Sequence, residues 1–399
     1  MRLVLGNRNF GLLWLGGMLS ELGDWVLIIA LPLYVYQRME SALATALVMM
    51  AKSVPSLVLG SAAGVFVDRW NRKRTMVVCN CLLAPTVLVL LLIPATGWLW
   101  VAYLSSFFES ALGKFSGPAE RAFLPQLVEK EDLATANSVN SLGDNIARFG
   151  GPPLGGILLG ALGVRACVVA DTLSFLIAAL LISVIRARAV QEIEIGPVLS
   201  AARSRWARFW GDWLAGLRIV LEDRSLLYLF TVLSIAALAD GTFQALVVPF
   251  ILEVLHGKPI VFSAVIVGQG VGGIAGGLVI VALSKKLSPV RLMTLSLAAL
   301  AMLFTAIAAL PFIAVMLPLS IIAGLPIVGW YASQQTLLQT SVPDRFRGRV
   351  QGMSNTTNAL LRLVGLGAAG TLADRLGILP LIFVVAALYC LGAVLATRL

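Results

Sequence analysis

Charge is scarce in this chain and histidine is nearly absent. Of its 399 residues only 13% are charged while 59% are hydrophobic, and the single histidine, His256, has no second imidazole to work with. Soluble domains carry about a quarter charged residues, so a soluble globular protein is excluded. The four cysteines, Cys79, Cys81, Cys167 and Cys390, give neither a disulfide framework nor metal-ligand spacing. Metal-dependent or histidine-based catalysis therefore lacks its residues, and no metal or cofactor is expected. Alternating strand segments of about ten residues are missing too, which argues against an outer-membrane barrel. There is no G-x-x-x-x-G-K-[ST] loop, because Gly113-Lys114-Phe115 lacks both the first glycine and the hydroxyl. Gly268-x-Gly270-x-x-Gly273 matches a dinucleotide fingerprint by letters but follows no strand. Its overlap with Gly272-x-x-x-Gly276 suits helix packing instead. No water-facing catalytic constellation is found, so the chain is not expected to be an enzyme.

Long apolar runs are what the chain has. A bilayer core takes about 20 helical residues to cross at 1.5 Å each. Twelve spans are expected, at 10–36, 42–67, 75–96, 98–118, 134–161, 165–185, 225–252, 260–283, 290–310, 312–338, 352–373 and 377–396. The first is too long for a cleavable signal peptide and lacks a small-residue cleavage site, so it serves as the insertion signal. With the N-terminus inside, 22 Lys and Arg fall in inner segments and four, Arg38, Arg165, Lys258 and Arg375, in outer ones. That bias places both termini in the cytoplasm and makes the net charge of +10 a topology signal rather than a nucleic-acid footprint.

The second half repeats the first. At an offset of 214 residues, Arg148, Gly151, Gly156 and Gly163 fall on Arg362, Gly365, Gly370 and Gly377. Asp24 meets Asp240 if the offset drifts to 216. Internal repeats around a central site are a common plan for secondary transporters. Three parts are expected: a six-helix bundle over 1–185, a cytoplasmic linker over 186–224 and a second bundle over 225–399. In the linker Trp206, Phe209, Trp210, Trp213 and Leu217 share one helical face flanked by arginines, the pattern of a helix lying among anionic headgroups.

Ionised groups at the bilayer centre cost at least ~2.5–3.5 kcal/mol each on insertion scales. Eight nonetheless lie at such depths: Glu21 and Asp24 in span 1, Lys52 in span 2, Glu109 and Lys114 in span 4, Arg148 in span 5, Asp240 in span 7 and Arg362 in span 11. Counted along their helices most sit about 15–22 Å deep in a core of about 30 Å. Convergence of depth from both halves points to a polar, water-filled cavity. The carboxylates Asp24, Glu21, Asp240 and Glu109 are the candidates to load and release a proton or meet a cationic ligand. Arg148, Arg362, Lys52 and Lys114 are the cationic lining. Two structural alternatives stand beside this: Asp144 and Arg148, four apart, can pair with each other, and Lys52 can pair with a neighbouring carboxylate. Asp171, near the outer end of span 6, reads as a boundary residue.

Two stretches carry a family resemblance. Gly64-x-x-x-Asp68-Arg69-x-x-Arg72-Lys73, between spans 2 and 3, resembles the signature loop of the major facilitator superfamily. Gly64 permits close helix approach, and Asp68 with the arginines can form a conformational latch. Gly151-Pro152-x-x-Gly155-Gly156 in span 5 is similar to the antiporter motif of drug-exporting members, where glycine and proline pack and bend a helix near the gate. NRNFGLLWLGGMLSELGDW at the N-terminus and VPDRFRGRVQG resemble the macrolide-efflux and enterobactin-exporter branch. The resemblance implies an all-α fold of twelve transmembrane helices in two pseudo-symmetric six-helix bundles. It further implies a monomer in a bacterial inner membrane that exports an amphipathic small molecule, drug, macrolide or siderophore-like, by proton antiport with alternating access. Its partners are then substrate, protons and lipid, with no nucleic acid. A lipid or lysophospholipid translocator, or a proton-independent uniporter, would share this architecture.

Overall fold

The computed structural model describes residues 6–186, 217, 218, 220–342 and 346–399, with backbone alone at 58, 60–66, 68, 69, 95 and 349. Among these residues there are no strands and twelve long helices. They are α1 (Arg8–Met39), α2 (Ala42–Arg69), α3 (Arg72–Leu88), α4 (Trp100–Phe123), α5 (Leu133–Leu162) and α6 (Val164–Val184), then α7 (Arg224–Pro249), α8 (Pro259–Leu283), α9 (Pro289–Ala309), α10 (Ile313–Ser341), α11 (Arg347–Leu376) and α12 (Ile378–Ala396). Helix α3 continues as a tighter 3-10 turn over Val89–Leu92, and α7 ends in a π turn over Phe250–Val254. Eight of the twelve are long and apolar enough to cross a membrane by composition alone, with α3 counted through Leu92 and α7 through Val254. Helices α2, α4, α5 and α11 fall short of that mark, and they carry Lys52, Glu109 with Lys114, Arg148 and Arg362. The amphipathic linker helix expected around Trp206–Trp213 lies outside the described residues.

Local chemistry explains the helix boundaries. The carboxamide of Asn7 accepts from the Phe10 amide, and that of Asn71 from the Arg74 amide. Asp223 accepts from the amides of Ser225 and Leu226, and the Ser288 hydroxyl from that of Arg291. Each satisfies amide donors that a helix N-terminus leaves open. Between α5 and α6 the chain turns through Gly163 at φ +77°, and between α11 and α12 through Gly377 at φ +83°. That backbone region suits glycine and strains other residues. The two turns stand 214 residues apart, so the repeat read from the letters is also a repeat of backbone geometry.

The chain forms two compact units, one of residues 1–38 and 48–196 and one of 39–47 and 197–399. In the first unit Phe10, Leu13, Trp14, Met76, Phe123 and Ile182 build an apolar core. Trp14 Nε1 donates to the Val139 carbonyl at 2.9 Å, which ties α1 to α5. Lys73 Nζ donates to the Ile185 carbonyl at 2.8 Å, so its charge meets the negative C-terminal end of α6. In the second unit the core runs through Leu229, Val232, Leu297, Leu300, Met353 and Val385. Beside it Phe243 packs edge-on against Phe304, which stacks on Tyr389 at 5.5 Å. Helix α8 lays Gly268, Gly272 and Gly276 against Ser320, Ile321 and Leu325 of α10. The dinucleotide-like letters thus lie within a helix whose glycines pack on its neighbour. The segment 39–47 belongs to the second unit because Ser41 Oγ and the Ala42 amide both donate to the Asp374 carboxylate, at 2.7 and 2.8 Å.

Candidate functional site: a buried charge cluster beside a polar cavity

A cavity of about 390 Å³ lies within the first unit, and five of the expected residues of the first half line it: Glu21, Asp24, Lys52, Glu109 and Lys114. Glu120, Arg121 and Asp144 complete its charged surface. Lys52 Nζ bonds Glu109 Oε1 at 2.5 Å, with the lysine about a third exposed (32%) and the glutamate 6% exposed. Of the two roles open to Lys52 the structure therefore displays the ion pair, in a position that still faces the cavity. Asp24 sits alongside, interacting electrostatically with Lys52, Glu109 and Glu21. Its Oδ1 is buried and has no hydrogen-bond partner. An unpaired buried carboxyl oxygen is costly when ionised, and a proton on it removes that cost.

Arg148 is exposed and stands outside the lining of this cavity, within electrostatic reach of Glu21. It forms no ion pair with Asp144 among the described residues. The glycine-proline run of the same helix is buried at Gly151, Pro152, Gly155 and Gly156 and serves α1 directly. A methyl group on Gly151 would press on the Leu22 carbonyl and Trp25, and one on Gly155 on the backbone of Val26. Those residues bracket Asp24, so the absence of side chains on α5 sets how closely the aspartate's turn packs. Of the loop residues, Gly64, Asp68 and Arg69 lie outside the described side chains. Arg72 and Lys73 are half-buried, and Arg72 Nε is buried with no hydrogen-bond partner.

The second unit repeats the arrangement with one difference. Gly365 of α11 meets the Leu238 carbonyl and Thr242 amide of α7, and Gly241 of α7 meets the Arg362 backbone. Helices α7 and α11 thereby close around Asp240 as α1 and α5 close around Asp24. Here the repeat's arginine is engaged: Arg362 Nη2 bonds Asp240 Oδ2, and Tyr331 and Tyr389 stand within electrostatic reach of the pair.

Sequence reasoning missed Asp171. It is fully buried at 0% exposure on α6 and interacts electrostatically with Asp24, Glu109 and Lys52. A signal existed in Gly23, beside Asp24, which lets α1 approach Asp171 and Ser174.

Two helical units, each holding paired charges at the level where glycines bring its helices into contact, define a polytopic membrane protein of the transporter class. The sequence pattern of the Major Facilitator Superfamily matches residues 13–366, and the chain belongs to that superfamily. It is 23% identical to macrolide efflux protein A of Streptococcus pyogenes over 376 residues, spanning 93% of this chain and 90% of that protein. It is 29% identical to the multidrug efflux pump Tap of Mycolicibacterium fortuitum over 375 residues, 89% of this chain and 87% of that protein. Among solved structures, a bacterial homologue of the iron transporter ferroportin in an inward-facing state superposes with a TM-score of 0.78 at 15% identity, covering 98% of both chains. At that identity the likeness concerns the fold alone.

Proposed function

We propose that this protein is a secondary active exporter of an amphipathic small molecule, driven by exchange for protons at Asp24. The carrying observation is the buried, unpartnered Oδ1 of Asp24 on the wall of a polar cavity, beside a Lys52–Glu109 pair that already satisfies the local ammonium. A carboxyl there accepts a proton when the cavity is empty and loses it when a cationic or strongly polar ligand takes its place. The binding of either ligand opposes the other, which is the requirement for antiport by alternating access. Relatives named for macrolide efflux and multidrug efflux support the direction and the broad substrate class. The Lys and Arg bias supports both termini in the cytoplasm, and the bacterial relatives support a bacterial plasma-membrane location. Both charge clusters are built from helices of one chain, so the reading requires no second copy.

The test is accumulation in an efflux-deficient bacterial host expressing the protein. A macrolide, a lipophilic cationic dye and a lysolipid serve as probes. Lower accumulation of the macrolide or dye, lost in Asp24→Asn at equal membrane expression, supports the reading. Movement of the lysolipid alone, or unchanged export by the variant, contradicts it.

A further inference from the structure

The first unit holds a further acid, behind Asp24 and Glu109, that does not line the cavity. Asp171 on α6 is fully buried; the Ser174 hydroxyl donates to its backbone carbonyl at 2.7 Å and lies 3.3 Å from its Oδ1. Its Oδ2 is buried with no hydrogen-bond partner. Helix α1 approaches it through Gly23, where any Cβ would collide with Asp171 Oδ1 and Ser174 Oγ. The charged groups that face it are Asp24 from α1, Lys52 from α2 and Glu109 from α4, with the Cys167 thiol one turn away on its own helix. Glu21 acts on Asp24 from one turn below.

These groups make three carboxyls around one ammonium. Lys52 is committed to Glu109 at 2.5 Å, which leaves Asp24 and Asp171 without a cation of their own. The same two residues carry the two unpartnered buried carboxyl oxygens of the cluster, Oδ1 of Asp24 and Oδ2 of Asp171. If both were ionised, two like charges would sit uncompensated in a low-dielectric interior, an arrangement that desolvation and mutual repulsion both oppose. A proton on each oxygen removes both charges and leaves the Lys52–Glu109 pair neutral overall.

We propose that Asp171 is a second proton-carrying carboxyl, so that the first unit holds two protons, one on Asp24 at the cavity wall and one on Asp171 behind it. This rests on the proton-exchange reading of Asp24. Asp171 has no surface of its own, so its proton arrives and leaves through the cavity side: the O–H bond on Asp171 breaks as a proton acceptor on the Asp24 side gains one. Loading a monocationic ligand at Asp24 then releases one proton and loading a dication releases two, so that no carboxylate is left uncompensated. The close approach of α1 at Gly23 confines the carboxyl.

The experiment is infrared difference spectroscopy of the purified full-length protein as pH is raised, following the C=O band of protonated carboxyl groups. Asp171→Asn is expected to lose part of the band that wild type loses on alkalinisation, Asp24→Asn to lose another part, and Asp171→Glu to retain the amplitude at a shifted midpoint. A band unchanged in Asp171→Asn but reduced in Asp24→Asn overturns the role of Asp171 and leaves Asp24 standing. A band unchanged in both variants overturns both. If Asp171→Asn does not fold, the Glu variant decides: a midpoint identical to wild type overturns the proposal, and a shifted one supports it.

Discussion

Arg362 on α11 bonds Asp240 on α7, whereas Arg148, which occupies the position 214 residues earlier on α5, makes no such bond to Asp24 on α1. Both helix pairs are brought together by glycines, so the difference lies in the side chains. In the first unit Lys52 enters from α2 beside the aspartate and is itself taken by Glu109. One half therefore presents a closed ion pair and the other an open carboxyl. This asymmetry predicts that Asp240→Asn leaves proton coupling largely intact while Asp24→Asn abolishes it, as measured by substrate-induced proton flux at matched expression.

The Arg362–Asp240 pair should contribute little stability despite its position. Both side chains are about two-fifths exposed, at 42% and 41%, and such pairs are worth about 1 kcal/mol or less after screening by solvent. Asp240→Ala should lower the midpoint of thermal unfolding in detergent only slightly, and the double variant with Arg362→Ala no further than the sum of the singles.

Lys52 and Glu109 should behave differently. Removing one partner of a mostly buried pair strands the other charge, at a cost of about 3–5 kcal/mol. Lys52→Met and Glu109→Gln should each destabilise the first unit strongly. Lys52→Met with Glu109→Leu should cost less than Lys52→Met alone, because no charge is left behind. A double-mutant cycle on unfolding midpoints measures this coupling.

The glycines of α5 predict a graded series. An alanine at Gly155 would bring a methyl within 2.7 Å of the Val26 carbonyl, so α1 must shift. Overpacking of that kind costs about 1–3 kcal/mol and here also displaces the turn bearing Asp24. Gly155→Ala should reduce transport more than it reduces membrane insertion. Gly160→Ala, with open space around its Cα, is the expected neutral control.

At the other end of α2, the Asp374 carboxylate accepts from Ser41 and the Ala42 amide. Loss of a helix N-terminal acceptor costs about 0.5–2 kcal/mol. Asp374→Ala should lower the unfolding midpoint accordingly, and Asp374→Asn, which keeps an acceptor oxygen, should lower it less.

Eight of the twelve helices were legible in the sequence as long apolar runs with satisfied backbones, a constraint that is local in the chain. The other four, which carry Lys52, Glu109 with Lys114, Arg148 and Arg362, are less apolar and were legible as spans only among the rest. The fold class was legible for the same reason, and Gly163 and Gly377 were visible as a repeat before they proved to share a backbone conformation. The depth of Asp24, Lys52 and Glu109 could be counted along their helices. Which of them pair could not be counted, since pairing depends on helix rotation and on which neighbours touch. Asp171 escaped for that reason: it reads as a boundary residue although it lies two turns into α6, where the close approach at Gly23 accompanies its complete burial. Arg148 shows the converse: its depth was right for a cavity wall and Asn140 and Asp144 of the same face of α5 line the cavity, but the lining stops a turn short of Arg148.

The most direct test of exchange at Asp24 is proton movement in inside-out vesicles holding an acid interior. Adding a macrolide or a lipophilic cationic dye should release protons from vesicles with the wild-type protein and not from those with Asp24→Asn. Substrate uptake without proton release, or equal release by the variant, would contradict proton antiport through this carboxyl.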